Sequence, residues 1–482
     1  MTKLSSTLRA GAGALTFALC TNGCAVGPDY TKPDIQAPEQ HRGEAVKTQT
    51  SIAELPWWRV FRDPVLSRYL KESLTNAYDV RMAAARIEQA RAQARSAMWA
   101  FFPTFGAQVG VGGGKGLPGV PTIVPPGTLN GTFGASASVS WELDVWGRLR
   151  RQKEAADAFA RAADEDQRAV YVALVGDVAS TYIDLRTSDL KLEVVAASIQ
   201  ARQATADFFS ERMKGGVSND LEVSRAVANV ADAKAQAALY HQQNWNFENQ
   251  LAFLMARPPG QIERGVALDA IAMPPEVPAG LPSALLARRP DLRVAEEQLH
   301  AATAIVGVRV GDVLPKFALT GSAGVASSAL TSANSETSAV YQGFAGLDIP
   351  IPLLGGATKL NDIDVAKARV NEQLAYYQKV FFNALREVSN ALAAIDNLKE
   401  QRAQREAQVA ALLRTEEIAT VRYKGGISTY LEVITAQEQS LAAQLELAET
   451  KGLQHQAVIA LYRALGGGWN MKEATEATAA KQ

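Results

Sequence analysis

Apolar residues recur along this chain in two rhythms. Val80, Ala83, Ile87, Ala90, Ala94, Ala97 and Phe101 are spaced alternately three and four apart, one face of a helix in heptad register. Shifted by 212 positions the same face returns as Leu292, Ala295, Leu299, Ala302, Val306, Arg309 and Val313, broken only by Arg309. Each helix runs into a proline, Pro103 or Pro315, which ends it, and a phenylalanine follows at Phe105 or Phe317.

The rhythm then changes to a period of two. In 132–141, Phe133, Ala135, Ala137, Val139 and Trp141 alternate with threonine, glycine and serine, which predicts a strand. Phe105, Ala107, Val109 and Val111 alternate in the same way, and 317–326 and 339–349 repeat the scheme more weakly. Strands are expected at 104–114, 131–142, 317–326 and 339–349. A Gly/Pro-rich loop joins the first pair and a Ser/Thr/Asn-rich loop the second.

Beyond the strands the helical rhythm resumes without proline. Tyr171, Leu174, Val178, Tyr182 and Leu185 form one stripe, and Phe381, Leu385, Val388, Leu392 and Ile395 another. Helices are expected over about 149–214 and 358–424, each long enough to span on the order of 90–100 Å. Each ends at a glycine pair. RMKGGVSNDLEV (212–223) and RYKGGISTYLEV (422–433) agree at eight of twelve positions. Gly215-Gly216 and Gly425-Gly426 accept the left-handed backbone that stops a helix. Asn219 with Glu222, and Thr429 with Glu432, fit the capping box that starts the next helix, over about 219–255 and 429–465. The chain thus reads as a tandem duplication: helix, two strands, helical hairpin, twice.

Composition changes little in this picture. Hydrophobic residues make up 47% and charged residues 21%, as in a folded protein, and a net charge of −1 gives no reason to expect nucleic acid as a partner. The N-terminus adds more. Lys3 and Arg9 precede a short apolar stretch, 10–20, and TNGC then leads to Cys24, the order of an export signal over 1–23. A cysteine at its end points to a lipoprotein acylated on Cys24. Thr21 stands where such signals usually carry an aliphatic residue, so an ordinary secreted protein is the alternative. Both cysteines, Cys20 and Cys24, fall in this segment, which leaves none for a disulfide in the mature body.

The strands have the length and dyad pattern of outer-membrane barrel strands; a half-buried strand of a soluble sandwich is the alternative. In a membrane four strands cannot close a barrel, and open edges are not tolerated in lipid. Several chains would then each give four strands, and the helices would bundle with the same symmetry, making a tube.

Several segments carry a family resemblance. CAVGPDYTKP from Cys24, WWRVFRDPVLSRYL from Trp57, WELDVWGRLR from Trp141, RRPDLRVAEEQL from Arg288 and both Gly-Gly tips resemble the lipoprotein outer membrane factors, the NodT-type members of the TolC-like family. The resemblance covers nearly the whole chain. It implies an α-dominated homotrimer with a 12-stranded β-barrel in the outer membrane and a 12-helix α-barrel reaching into the periplasm. It also implies repeats at 61–257 and 291–466, and an equatorial region from 24–60, 258–290 and 467–482. The implied role is the exit duct for drugs or other toxic small molecules, docked to a periplasmic adaptor and an inner-membrane RND transporter. A duct for metal ions or secreted polypeptides is one rival, and a periplasmic coiled-coil scaffold another.

Catalytic patterns are missing from the sequence. His41, His241, His300 and His455 form no metal-ligand spacing. GVGGGKG (110–116) fails the phosphate-loop pattern, with Val109 at the first glycine position and Gly116 after the lysine. No enzyme activity and no cofactor are expected beyond the lipid on Cys24. The resemblance makes the tips a periplasmic gate. Glu432 falls at a constriction carboxylate position, Thr435 at the next one, and Glu222 is the match in the first half. Tyr423 falls on a latch tyrosine that bonds an acid of the other tip, and Ser428 where a latch arginine can stand, with Lys424 as its substitute. Helix capping alone is the competing role for Glu222 and Glu432. Gly215, Gly216, Gly425 and Gly426, exposed at the tips, are candidate adaptor contacts, with turn geometry as the alternative.

Overall fold

The computed structural model describes residues 25–36, 38, 61–112, 132–216, 219–273, 288–327, 338–349 and 357–467. The expectations for the export signal and Cys24, and for 39–60, 274–287 and 468–482, lie outside the described residues. Helices are α1 (Pro64–Asn76), α2 (Tyr78–Trp99), α3 (Arg148–Lys214), α4 (Asp220–Leu254), α5 (Pro290–Val313), α6 (Ala357–Lys424) and α7 (Tyr430–Ala464). Strands are β1 (Thr104–Gly112), β2 (Thr132–Leu143), β3 (Lys316–Ser327) and β4 (Ser338–Asp348). The chain divides into two compact units. One draws on Met1–Asp34, Arg86–Asp164 and Val294–Tyr377, the other on Ile35–Ala85, Glu165–Arg293 and Gln378–Gln482.

The first unit holds the sheet. Its order is β1-β2-β3-β4, antiparallel throughout. Register runs Phe105↔Val139 and Val109↔Ala135, then Trp141↔Leu319, then Phe317↔Leu347 and Ala323↔Tyr341. Period two therefore gathers these side chains on one face and Ser136, Ser138, Ser140, Thr320 and Ser322 on the other. The apolar face is bare: Phe105, Val109 and Tyr341 are each more than four-fifths exposed. Two tryptophans tie the strand ends to neighbouring carbonyls, Trp141 Nε1 donating to Phe101 O at 2.9 Å and Trp146 Nε1 to Pro315 O at 2.8 Å.

An N-terminal strap, residues 25–36, is fixed in the same unit. Val26 N donates to Trp146 O at 2.9 Å. The buried Arg151 guanidinium donates to Val26 O at 3.1 Å and to Asp29 Oδ1 at 2.5 Å. The strap passes so close to α5 that a Cβ on Gly307 would lie 2.6 Å from Val26 O. Farther along, Tyr30 stacks on His300 with centroids 4.4 Å apart.

The second unit holds the core. Phe61, Leu66, Tyr69 and Leu70 pack with Val178, Tyr182, Ile183, Leu185, Leu251 and Met255, and with Val458, Ile459 and Tyr462 of α7. Burying each such aliphatic or aromatic side chain contributes roughly 1.5–3 kcal/mol. The Tyr171–Leu185 stripe turns inward as its spacing predicts, with Leu174, Val178, Tyr182 and Leu185 buried. At the centre lies a residue the periodicity did not single out. Asp63, 1% exposed, caps α1 through Val65 N (2.8 Å) and Leu66 N (3.1 Å). Its other oxygen accepts from Tyr182 Oη (2.6 Å) and Val266 N (3.2 Å). The pair Asp63-Pro64, an N-cap followed by proline at the first helical position, is the signal for it.

Candidate functional site at the hairpin tips

The tips are built by the duplicated glycine turns. Lys424 is the last residue of α6. Gly426 N donates to Tyr423 O at 2.9 Å and Ile427 N to Arg422 O at 2.9 Å, the paired closure of a Schellman turn. Gly426 has φ +72° and Gly216 φ +76°, the left-handed region that glycine enters most cheaply. A Cβ at either would meet nothing within 4 Å, so conformation and not space calls for glycine there.

The two starting caps differ. Asn219 Oδ1 accepts from Glu222 N at 3.0 Å, as the motif predicts. Thr429 has N-cap backbone geometry but its hydroxyl makes no cap hydrogen bond, which corrects the expected T-x-x-E box. Packing holds this turn instead. Tyr430 is buried against Phe209, ring centroids 4.4 Å apart, beside Val433 and Ile434.

That cluster also positions Tyr423. Its ring packs edge-on to Phe209 (5.6 Å) and lies 5.7 Å from Tyr430. Its hydroxyl donates to Glu222 Oε1 at 3.2 Å, joining the two hairpins across 201 positions of sequence. Burial, and then the Glu222 charge, raise the Tyr423 pKa, so the phenol stays a donor at neutral pH. Glu432 is exposed; its backbone N donates to Thr429 O at 3.2 Å, and its carboxylate bonds to no described residue. Thr435 is exposed and its hydroxyl turns back to Leu431 O at 2.9 Å. Lys424 is exposed and pairs with no described acid; Ser428 Oγ is buried without a partner among the described residues. The tip geometry thus joins Tyr423 to Glu222, while the Glu432 and Lys424 side chains pair with no described residue.

Elsewhere in the second unit is a groove of about 710 Å³ between α3, α6, α7 and the start of α5. Arg289 lies along it, donating to Asp291 Oδ2 (2.6 Å), Glu387 Oε2 (2.8 Å) and the α7 carbonyl Ala464 O (2.8 Å). With Nε also donating to Asp291 Oδ1 at 3.0 Å, four of its five N–H donors are answered, so this arginine joins helices. Among the described residues no group of His, Cys, Asp or Glu could hold a metal ion, and no helix is long and apolar enough to cross a membrane.

Comparison with known proteins gives a consistent set. The model of the outer membrane efflux protein family matches residues 69–257 and 281–467. The solvent efflux pump outer membrane protein SrpC of Pseudomonas putida is 33% identical over 464 residues, covering 94% of this chain and 97% of the relative. The cation efflux system protein CusC of Escherichia coli is 29% identical over 459 residues, with coverages of 94% and 97%. Among solved structures, the outer-membrane channel OprN superposes with a TM-score of 0.81 at 27% identity, over 92% of this chain and 100% of that one.

Proposed function

The chain belongs to the outer membrane efflux protein family, and on that premise we propose that it is the exit duct of a tripartite efflux pump. Three copies close a 12-stranded barrel in the outer membrane and a 12-helix barrel on its periplasmic side. A periplasmic adaptor and an inner-membrane RND transporter complete the pump. Drugs or other toxic small molecules pass through passively, and the protein itself is no enzyme. Cys24 carries the lipid, and the strap just after it holds that anchor at the strand ends.

One observation carries this reading: among the described residues the outer strands β1 and β4 each have one unpaired edge, and one face of the sheet is apolar and exposed. Unpaired backbone is too costly in lipid, so the edges must find other copies. A small-molecule cargo accords with the solvent-efflux relative. The cation-efflux relative keeps a metal duct in view, but seven methionines without a cluster offer no soft-ligand path. The experiment is detergent extraction, sizing and planar-bilayer recording. A conducting trimer is expected; a stable monomer without a pore overturns the proposal and favours a scaffold.

The tips form the gate. The Tyr423–Glu222 bond favours the closed arrangement, and three Glu432 carboxylates around the axis attract cations. Lys424 supplies a further positive charge at the tip. The adaptor opens the gate by binding the open state better, and Gly215, Gly216, Gly425 and Gly426 lie on the surface it meets.

A further inference from the structure

The polar face of the sheet carries one aromatic residue. By register, Thr104, Ser140, Thr320 and Phe344 lie in a single row across all four strands. Three hydroxyl residues thus share their face with a phenyl ring, which is 63% exposed. The ring lies along its own strand over Gly346, where a Cβ would come within 2.3 Å of Phe344 Cε1. Tyr341, Gly343, Ala345 and Leu347 take the opposite, apolar face by the same alternation.

The neighbouring copy does not cover the ring. β4 is an edge strand, and in the proposed trimer it pairs with β1 of the next chain. On this face β1 carries Thr104, Gly106, Gln108, Gly110 and Gly112. Whatever the register, β1 brings no large apolar side chain to bury Phe344. The gain that burial would give is forgone in water.

Resting on the channel reading, we propose that Phe344 faces the lumen and that its three copies form an aromatic belt that contacts apolar and aromatic cargo in transit. A twelve-stranded barrel, with strands about 4.8 Å apart and tilted about 40°, has a backbone radius of about 12 Å. Three phenyl rings projecting into that space lie within reach of a planar solute. Their faces also attract cationic aromatic solutes through the ring quadrupole.

Two measurements on the acylated trimer in planar bilayers test this. A charged, membrane-impermeant methanethiosulfonate should lower the conductance of Phe344→Cys, in as many as three steps, and leave Tyr341→Cys unchanged. Ethidium should interrupt the parent current. Phe344→Ser should shorten those interruptions roughly two- to fivefold, and Phe344→Trp should keep them. A conducting parent with silent Phe344→Cys, or with Phe344→Ser interrupted as the parent is, overturns the belt alone. A parent that conducts nothing overturns the channel and the belt together.

Discussion

Two side chains give sharp expectations. His455 is 4% exposed, its Nδ1 has no partner among the described residues, and its ring packs edge-on to Phe61 at 5.8 Å. Burial, and then the Arg402 charge, lower its pKa to about 4, partly offset by Asp269. The folded state therefore binds a proton less readily than the unfolded chain, whose imidazole titrates near 6.5. Stability is complete above that value and is lost as pH falls from about 6.5 to about 4, by about 3 kcal/mol. Thermal melts between pH 7 and 4.5 should show a shallower decline for His455→Gln than for the parent; equal slopes would rule the imidazole out. The second is the Tyr423–Glu222 bond. A hydrogen bond to a carboxylate contributes roughly 1.5 kcal/mol, about a tenfold bias per protomer. Tyr423→Phe combined with Glu222→Gln should raise basal conductance several-fold, and a quiet double variant would refute the latch. The long-range bonds of Asp63 and Arg289 were illegible beforehand. Their partners, Tyr182 at 2.6 Å and Glu387 at 2.8 Å, lie far away in sequence, and periodicity speaks only of neighbours.

Elements were far more legible. The long helices occupy Arg148–Lys214 and Ala357–Lys424, within a residue of their expected starts, because proline-free heptad stripes and glycine stops are local signals. β3 and β4 alternate more weakly than β2, and Phe344 is one cause, an apolar residue placed on the polar face. The first repeat opens with two helices, since the chain breaks at Ala77; the apolar periodicity, which starts at Val80, marks only the second of them. The glycine pair divides by role. Gly426 needs its positive φ, so Gly426→Ala should cost about 1 kcal/mol. Gly425 is absent from the positive-φ positions, and a Cβ there would sit at ordinary contact, 3.5 Å from Val421 O. Gly425→Ala should therefore leave the melting temperature unchanged. If Gly425→Ala also leaves pump activity intact while a bulkier Gly425→Trp abolishes it in stable trimers, adaptor contact is favoured over turn geometry.

At the scale of the whole molecule, lipid and sheet make separable claims. Each buried CH₂ of an acyl chain contributes about 0.8 kcal/mol to membrane attachment. Cys24→Ser should abolish the acyl mass in mass spectrometry, yet the protein should still require detergent, because the apolar face of the sheet remains. Release into aqueous buffer would show that the sheet does not sit in lipid. Assembly was legible only as a deficit: four strands with two open edges demand partners, but their number came from family likeness.

β2 and β3 are hydrogen-bonded neighbours, yet β2 ends at Leu143 and β3 begins at Lys316. The whole first helical hairpin, α3 and α4, and then α5 are synthesised between them. The two halves of the ribbon therefore cannot zip together as the polypeptide emerges; the first strand pair must wait, sticky and unsealed, for the second. Such distant closure is intrinsically slow and prone to aggregation. This polypeptide accordingly needs an escort on its way to the bilayer, and depleting general periplasmic chaperones should strand it in inclusion deposits before any loss of the finished pore is felt.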